Sequence, residues 1–285
     1  MQIVTTAVPF LATVMLAGAI RGIAGAERSA PFIGAAFPLG FLIGWGVMVA
    51  PGWFAYDALG RVGHIVFGGA LAGLLLDVWA PRRAIVIAVA AIFLLGSAWA
   101  EANGGLWPGK TVPVATWLNL IAVAALGAGL VWRLDALGLA RTEHAHTAST
   151  VVAVTLAAML ALALAVVAAA ADDTAMRGSG IALALALAGL AAWQWVFGGA
   201  PSYVVVFSAA GGALAIAWAL FERADGTLAG LLVCGLILFA DGTARRIRLP
   251  RARISRILYT LLLCGASLLP MALAGILTMV LHGAV

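Results

Sequence analysis

Ten apolar runs, interrupted by charge, glycine and proline, divide the chain: residues 3–20, 32–50, 63–79, 84–100, 113–132, 149–171, 180–197, 203–221, 227–241 and 257–281. A helix needs about 20 apolar residues to cross a bilayer, and most of the runs approach that length. The third run carries Asp77 near its end, and the seventh and eighth are separated only by the tight turn Gly198-Gly199-Ala200-Pro201-Ser202. The pattern predicts an all-α, polytopic membrane protein of about ten transmembrane helices, one integral domain over residues 1–285. No basic residue precedes the first run, so it lacks the positive start of a signal peptide and is expected to be the first span.

Composition strengthens this picture. Hydrophobic residues make up 65% of the chain, charged residues 9%, and the mean hydropathy is +1.13. No soluble domain needs so much apolar surface. The net charge of +5 does not point to nucleic acid, because the basic residues sit in short segments between runs. Cys234 and Cys264 both fall inside apolar runs and are expected to be small hydrophobes, not a disulfide or a metal site. Val151 to Ala171 and Ile181 to Ala192 are rich in alanine and leucine, which favours close helix packing in lipid. Tryptophans near run ends, among them Trp45, Trp79, Trp132, Trp193 and Trp195, suit the membrane interface.

Charge then fixes an orientation. The odd-numbered loops hold 12 of the 16 basic residues: Arg21 and Arg28, Arg82 and Arg83, Arg133 and Arg141, and six arginines in the ninth loop. The even loops hold Arg61, Lys110, Arg177 and Arg223. The positive-inside rule places the odd loops in the cytoplasm and both termini outside. The arginine-rich stretch, Arg245-Arg246-Ile247-Arg248-Leu249-Pro250-Arg251-Ala252-Arg253-Ile254-Ser255-Arg256, anchors that assignment. A bacterial inner (cytoplasmic) membrane is the expected location.

Acidic residues are few enough to weigh singly. Asp57, Glu101, Asp172, Asp173, Glu222 and Asp225 fall on the outer side as solvated charges, with Asp172-Asp173 read as a helix-start signal instead of a metal pair. Asp77, Asp135 and Asp241 fall at the inner ends of the third, fifth and ninth runs, close to arginines, and form either a polar inner-surface site or three separate interfacial charges. His144 and His146 form an H-x-H pair expected to be solvated in the fifth loop.

The loops taken in order resemble the polyprenyl-phosphate N-acetylhexosamine-1-phosphate transferases, the glycosyltransferase family 4 group that includes the phospho-muramoyl-pentapeptide translocase. Arg28 to Ala36 is similar to the family's Pro-Thr-Pro-x-x-Gly-Gly stretch. Gly73 to Arg83 resembles its Gly-x-x-Asp-Asp signature and basic segment, with Leu76 in place of the first aspartate and Asp77 in place of the second. Leu134 to Ala140 resembles Asp-Gly-x-Asp-Gly-Leu-Ala with Asp135 as its one aspartate. Ala200 to Ala209 falls where the family has Pro-Ala-x-x-Phe-Met-Gly-Asp, with Ser208 near the position of the magnesium-binding aspartate. Asp241-Gly242-Thr243 and the arginines after it resemble the Asp-Thr and basic run, without the family's histidine cluster.

The resemblance implies a site on the cytoplasmic face. Asp77 and Asp135 would be the catalytic or magnesium-holding residues, and Arg82, Arg83, Asp241, Arg245, Arg246, Arg248, Arg251 and Arg253 would handle phosphate. It also implies a polyprenyl (undecaprenyl) phosphate lipid and, for an active enzyme, magnesium and a nucleotide sugar. Each lost carboxylate at such a centre costs orders of magnitude in rate. The leading expectation is therefore a divergent member that binds the lipid with weakened or lost catalysis. An active magnesium-dependent UDP-sugar transferase of cell-envelope glycan synthesis is the first alternative. A transporter or non-catalytic subunit of a membrane complex, as a homodimer or with a partner protein, is the second.

Overall fold

The computed structural model describes residues 2–50, 58–79, 83–101, 121, 125, 127–136, 146–198, 202–223, 227–244 and 254–283. Among them the chain is helical almost throughout and has no strand. In order, the helices are α1 (Gln2–Arg28), α2 (Ala30–Ile33), α3 (Ala36–Val49), α4 (Ala58–Trp79), α5 (Arg83–Glu101), α6 (127–136), α7 (His146–Ala170), α8 (Thr174–Phe197), α9 (Tyr203–Arg223), α10 (Thr227–Cys234), α11 (Ala240–Ala244) and α12 (Ile254–His282). A 3-10 turn, Gly235–Phe239, joins α10 to α11. In lipid every backbone amide must find its partner within the protein, and uninterrupted helices meet that demand.

Among the described residues six helices are long and apolar enough to cross a membrane: α1, α4, α7, α8, α9 and α12. Shorter apolar helices lie at Ala36–Val49, Arg83–Ser97 and Thr227–Gly242. The fifth run, 113–132, lies mostly outside the described residues, which resume as α6.

The most apolar windows of α7 and α9 are each 83% buried, those of α1 and α12 only 17%, so α7 and α9 form the centre of the bundle and α1 and α12 its rim. Small residues set the distances between axes. α7 lies on α8, where a Cβ at Gly180 would stand 2.9 Å from the Cβ of Ala165. α4 lies on α9, where Gly69 faces the backbone of Phe207. α1 lies on α3 through Gly40 and Gly44, which face Thr13 and Pro9. Pro9 cannot donate to the helical ladder, and the Thr13 hydroxyl donates to the Pro9 carbonyl at 2.9 Å. α1 runs past the end of its apolar run and breaks at Gly25, whose φ of +78° suits glycine.

Polar contacts gather at two ends of the bundle. At the proximal end, where residues 245–253 join α11 to α12, Asp77 meets the start of α9, Arg133 meets Asp241, and Arg21 sits 5.0 Å above the Phe197 ring. At the distal end Asp173 caps α8 and pairs with Arg223 at 3.2 Å, Arg61 lies 3.7 Å from Glu222, and the Trp45 indole donates to Ser179 at 2.9 Å. The helix-start reading of Asp173 is thus met, since its carboxylate accepts from the Met176 N–H at 2.9 Å. Of the tryptophans near run ends, Trp79, Trp132 and Trp195 are exposed, whereas Trp45 and Trp193 are buried within the bundle. Trp45 turns inward because Gly63 leaves room for its ring and Ser179 takes its proton.

Candidate functional site

Asp77 occupies the last turn of α4, whose neighbour is the first turn of α9. One turn earlier on the same face is Gly73, where a Cβ would collide with the backbone of Tyr203 and Val204. The missing side chain lets α4 approach closely enough for Asp77 to reach the free amides at the start of α9. One carboxylate oxygen accepts from the Tyr203 N–H at 2.8 Å; the other accepts from the Ser202 hydroxyl at 2.6 Å and the Val204 N–H at 3.2 Å. A helix begins with unsatisfied N–H groups and a partial positive charge, so an anion there is doubly favoured. Gly34 packs against Ser202, which draws the first, third and seventh predicted loops together.

A second cluster joins the fifth and ninth. Arg133 on α6 forms an ion pair with Asp241 on α11, and its Nε donates to the Leu238 carbonyl at 3.1 Å. Its guanidinium also lies 5.2 Å from the centre of the Phe239 ring. Asp241 is 2% exposed, and Arg133 supplies a cation to this buried carboxylate. Asp135 is half-buried and engaged in an interaction of its own. It lies two residues beyond Arg133, hence on a different face of α6. Arg83 is exposed at the first position of α5. Arg82, Arg245, Arg246, Arg248, Arg251 and Arg253 lie outside the described residues.

Four of the regions likened to family loops lie in helix as far as they are described. Residues 73–79 belong to α4, 134–136 to α6, 203–209 to α9 and 240–244 to α11. Ser208, aligned by resemblance with a metal-binding aspartate, is buried two turns into α9, and its hydroxyl has no partner among the described residues. Among the described residues no three His, Cys, Asp or Glu gather as a metal site. Asp77 accepts from three donors at the start of α9, and Asp241 is paired with Arg133. His146 starts α7, and His144 lies outside the described residues.

Three contributors went unnoticed in the sequence. Arg133 counted only as a charge on one side of the membrane, Gly73 only as the first residue of a motif, and Ser202 as part of a turn. The signal for Arg133 was its position at the end of an apolar run, two residues from an aspartate.

Beside the second cluster is a cavity of about 360 Å³. α6, α7, α9, α10 and the 3-10 turn line it, and its wall is predominantly apolar, including Leu130, Leu164, Leu214, Trp218, Leu231 and Leu238. Leu228 and Leu232, at 52% and 57% exposure, put its mouth on the outside of the bundle. At the proximal end, Leu238 both lines the cavity and accepts from Arg133. Set against known proteins, the chain matches no family and no curated sequence.

Proposed function

We propose that this is a ten-span protein of the bacterial inner membrane, with both termini outside, that holds a polyprenyl phosphate at its arginine-rich cytoplasmic end without transferring a sugar phosphate to it. The observation that carries the reading is the apolar cavity ending at the Arg133–Asp241 pair. An amphiphile with a hydrocarbon tail and an anionic head matches that arrangement. The tail fills a space from which water gains nothing, and the head meets Arg133, whose partner Leu238 lines the cavity. The segregation of polar contacts to two ends supports the alternation of ten spans, and the loop charges support its direction. Loss of transfer chemistry is supported by Asp77, whose carboxylate is spent on the start of α9, and by Ser208, a neutral residue inside a helix.

The test uses the full chain in nanodiscs with undecaprenyl phosphate. Saturable binding is expected, with undecaprenol at least tenfold weaker, and Ala217→Phe, which fills the cavity, should abolish it. Equal binding of phosphate and alcohol, indifferent to Ala217→Phe, would sink the lipid reading. UMP released from a UDP-sugar with magnesium, above the level of an Asp77→Ala, Asp135→Ala control, would instead restore the enzyme.

A further inference from the structure

Between α10 and α11 the helical path changes its winding. Gly235–Phe239 is a 3-10 segment, closed by the Ala240 N–H, which donates to the Ile237 carbonyl three residues back. Hydrogen bonds in a 3-10 helix are poorer than in an α-helix, and runs longer than three or four residues are uncommon. The local sequence gives no reason for this one. Gly-Leu-Ile-Leu-Phe contains no proline, and a Cβ at Gly235 would meet nothing within 4 Å. The cause lies in what grips the two ends. α10 is seated on α12 at Gly230, where a Cβ would collide with the Thr278 hydroxyl and stand 2.9 Å from the Ala274 carbonyl oxygen. Past the segment, one guanidinium holds the chain three times. Arg133 donates to the Leu238 carbonyl at 3.1 Å, lies 5.2 Å from the centre of the Phe239 ring and pairs with Asp241.

Helix geometry says what that grip prevents. An α-helix advances about 100° and 1.5 Å per residue, a 3-10 helix about 120° and 2.0 Å. Rewinding the five residues of the segment as α-helix would turn α11 by about 100° and draw it about 2.5 Å toward α10. Asp241 would leave Arg133, and Leu238 would leave its place in the cavity wall. Arg133 keeps 20% of its side chain exposed, so an anion has access to it. We propose that Gly235–Phe239 is a two-state hinge latched by Arg133. With the latch closed the segment is 3-10 and Leu238 walls the cavity. A phosphate that takes the guanidinium releases the segment to α-helix, turns α11 and opens the proximal end of the cavity. That the phosphate belongs to a lipid rests on the reading above; the latch itself does not.

The experiment is a distance measurement by double electron–electron resonance on the full chain in nanodiscs. Nitroxides go on Leu228→Cys and Gly242→Cys, both exposed positions, with Cys234→Ala and Cys264→Ala removing the native thiols. The two labels stay within about 60° of each other around the axis in either winding, so the rewound segment reads as a distance shorter by about 3 Å. Arg133→Met should give that shift without ligand. Should it fail to fold, Asp241→Leu, which leaves no buried carboxylate, removes the α11 half of the latch and should give the same shift. Undecaprenyl phosphate should shift the otherwise unsubstituted labelled protein, with binding read on the same samples, and undecaprenol should not. A shift by inorganic phosphate alone would support the hinge and make free phosphate its effector. An unchanged distance in the folded latch variants, or lipid phosphate bound with the distance unmoved, would overturn the proposal. Latch variants that shift while no lipid phosphate binds would leave the hinge standing and remove the lipid reading.

Discussion

At the proximal end of the bundle two carboxylates are fixed at the ends of apolar helices by different means. Asp77 is held by a hydroxyl and two backbone amides of α9, donors that have no freedom once the helix has formed. Asp241 is held by the side chain of Arg133, which comes from another helix and keeps 20% of its surface exposed. The first arrangement is a joint between two helices, with three donors of one helix on the carboxylate of the other. The second is a charge pair beside an open cavity, where an arriving anion could share the arginine. The contrast assigns structure to one aspartate and the neighbourhood of a ligand to the other, although both occupy the same kind of position in the sequence.

The largest expected effect breaks the second arrangement. Arg133→Met removes a cation from the buried Asp241 carboxylate, and breaking a buried pair in this way costs about 3–5 kcal/mol. Arg133→Met with Asp241→Leu removes both charges and should recover most of that loss. Thermal or SDS-driven unfolding in detergent measures both. If the double variant is no better than the single one, burial of charge is not what makes the pair sensitive.

Breaking the first arrangement should cost less. Asp77→Ala strips the start of α9 of its acceptor and should lower stability by about 2 kcal/mol; Asp77→Asn, which still offers one oxygen, should lose about half of that. The same unfolding experiment checks the order. A fully stable Asp77→Ala protein would return this residue to the list of candidates for chemistry and weaken the contrast between the two aspartates.

These side-chain arrangements were far less legible in the sequence than the helices. The apolar runs announce helices because lipid tolerates few alternatives. The same property hides the packing, since a helix such as α3 is apolar on every side and no stripe marks the face that meets α1. The sequence therefore shows Asp77 at the end of a run but not that Gly73, one turn earlier, brings that end against α9. It shows Ser208 in line with a family aspartate and inside the run that begins at residue 203, but not that α9 turns Ser208 into the core. Trp45 stands at a run end like Trp79, yet a glycine on α4 and a serine on α8 draw it inside. Tyr203 lies 126 positions from Asp77 and Ser179 lies 134 from Trp45, and their closeness is a property of the packed bundle. Asp173 was legible because its role is local: its acceptor serves an amide three residues on.

That local role supplies the smallest effect and a control for the other two. Asp173 does at the distal end what Asp77 does at the proximal end, capping a helix, but it caps its own helix and adds an ion pair with Arg223. Arg223 is 45% exposed, so the pair is screened and its arginine pays entropy to stay in place. Asp173→Ala should cost about 1 kcal/mol through the lost cap, and Arg223→Ala no more than about 0.5 kcal/mol. Salt at 1 M should erase the Arg223 effect and leave the Asp173 effect standing, because a neighbouring amide at 2.9 Å is little screened. If removing Arg223 costs as much as removing Asp173, the ion pair outweighs the cap even at the exposed end. Asp77 would then be better compared with Asp241 by charge than by the groups that hold it.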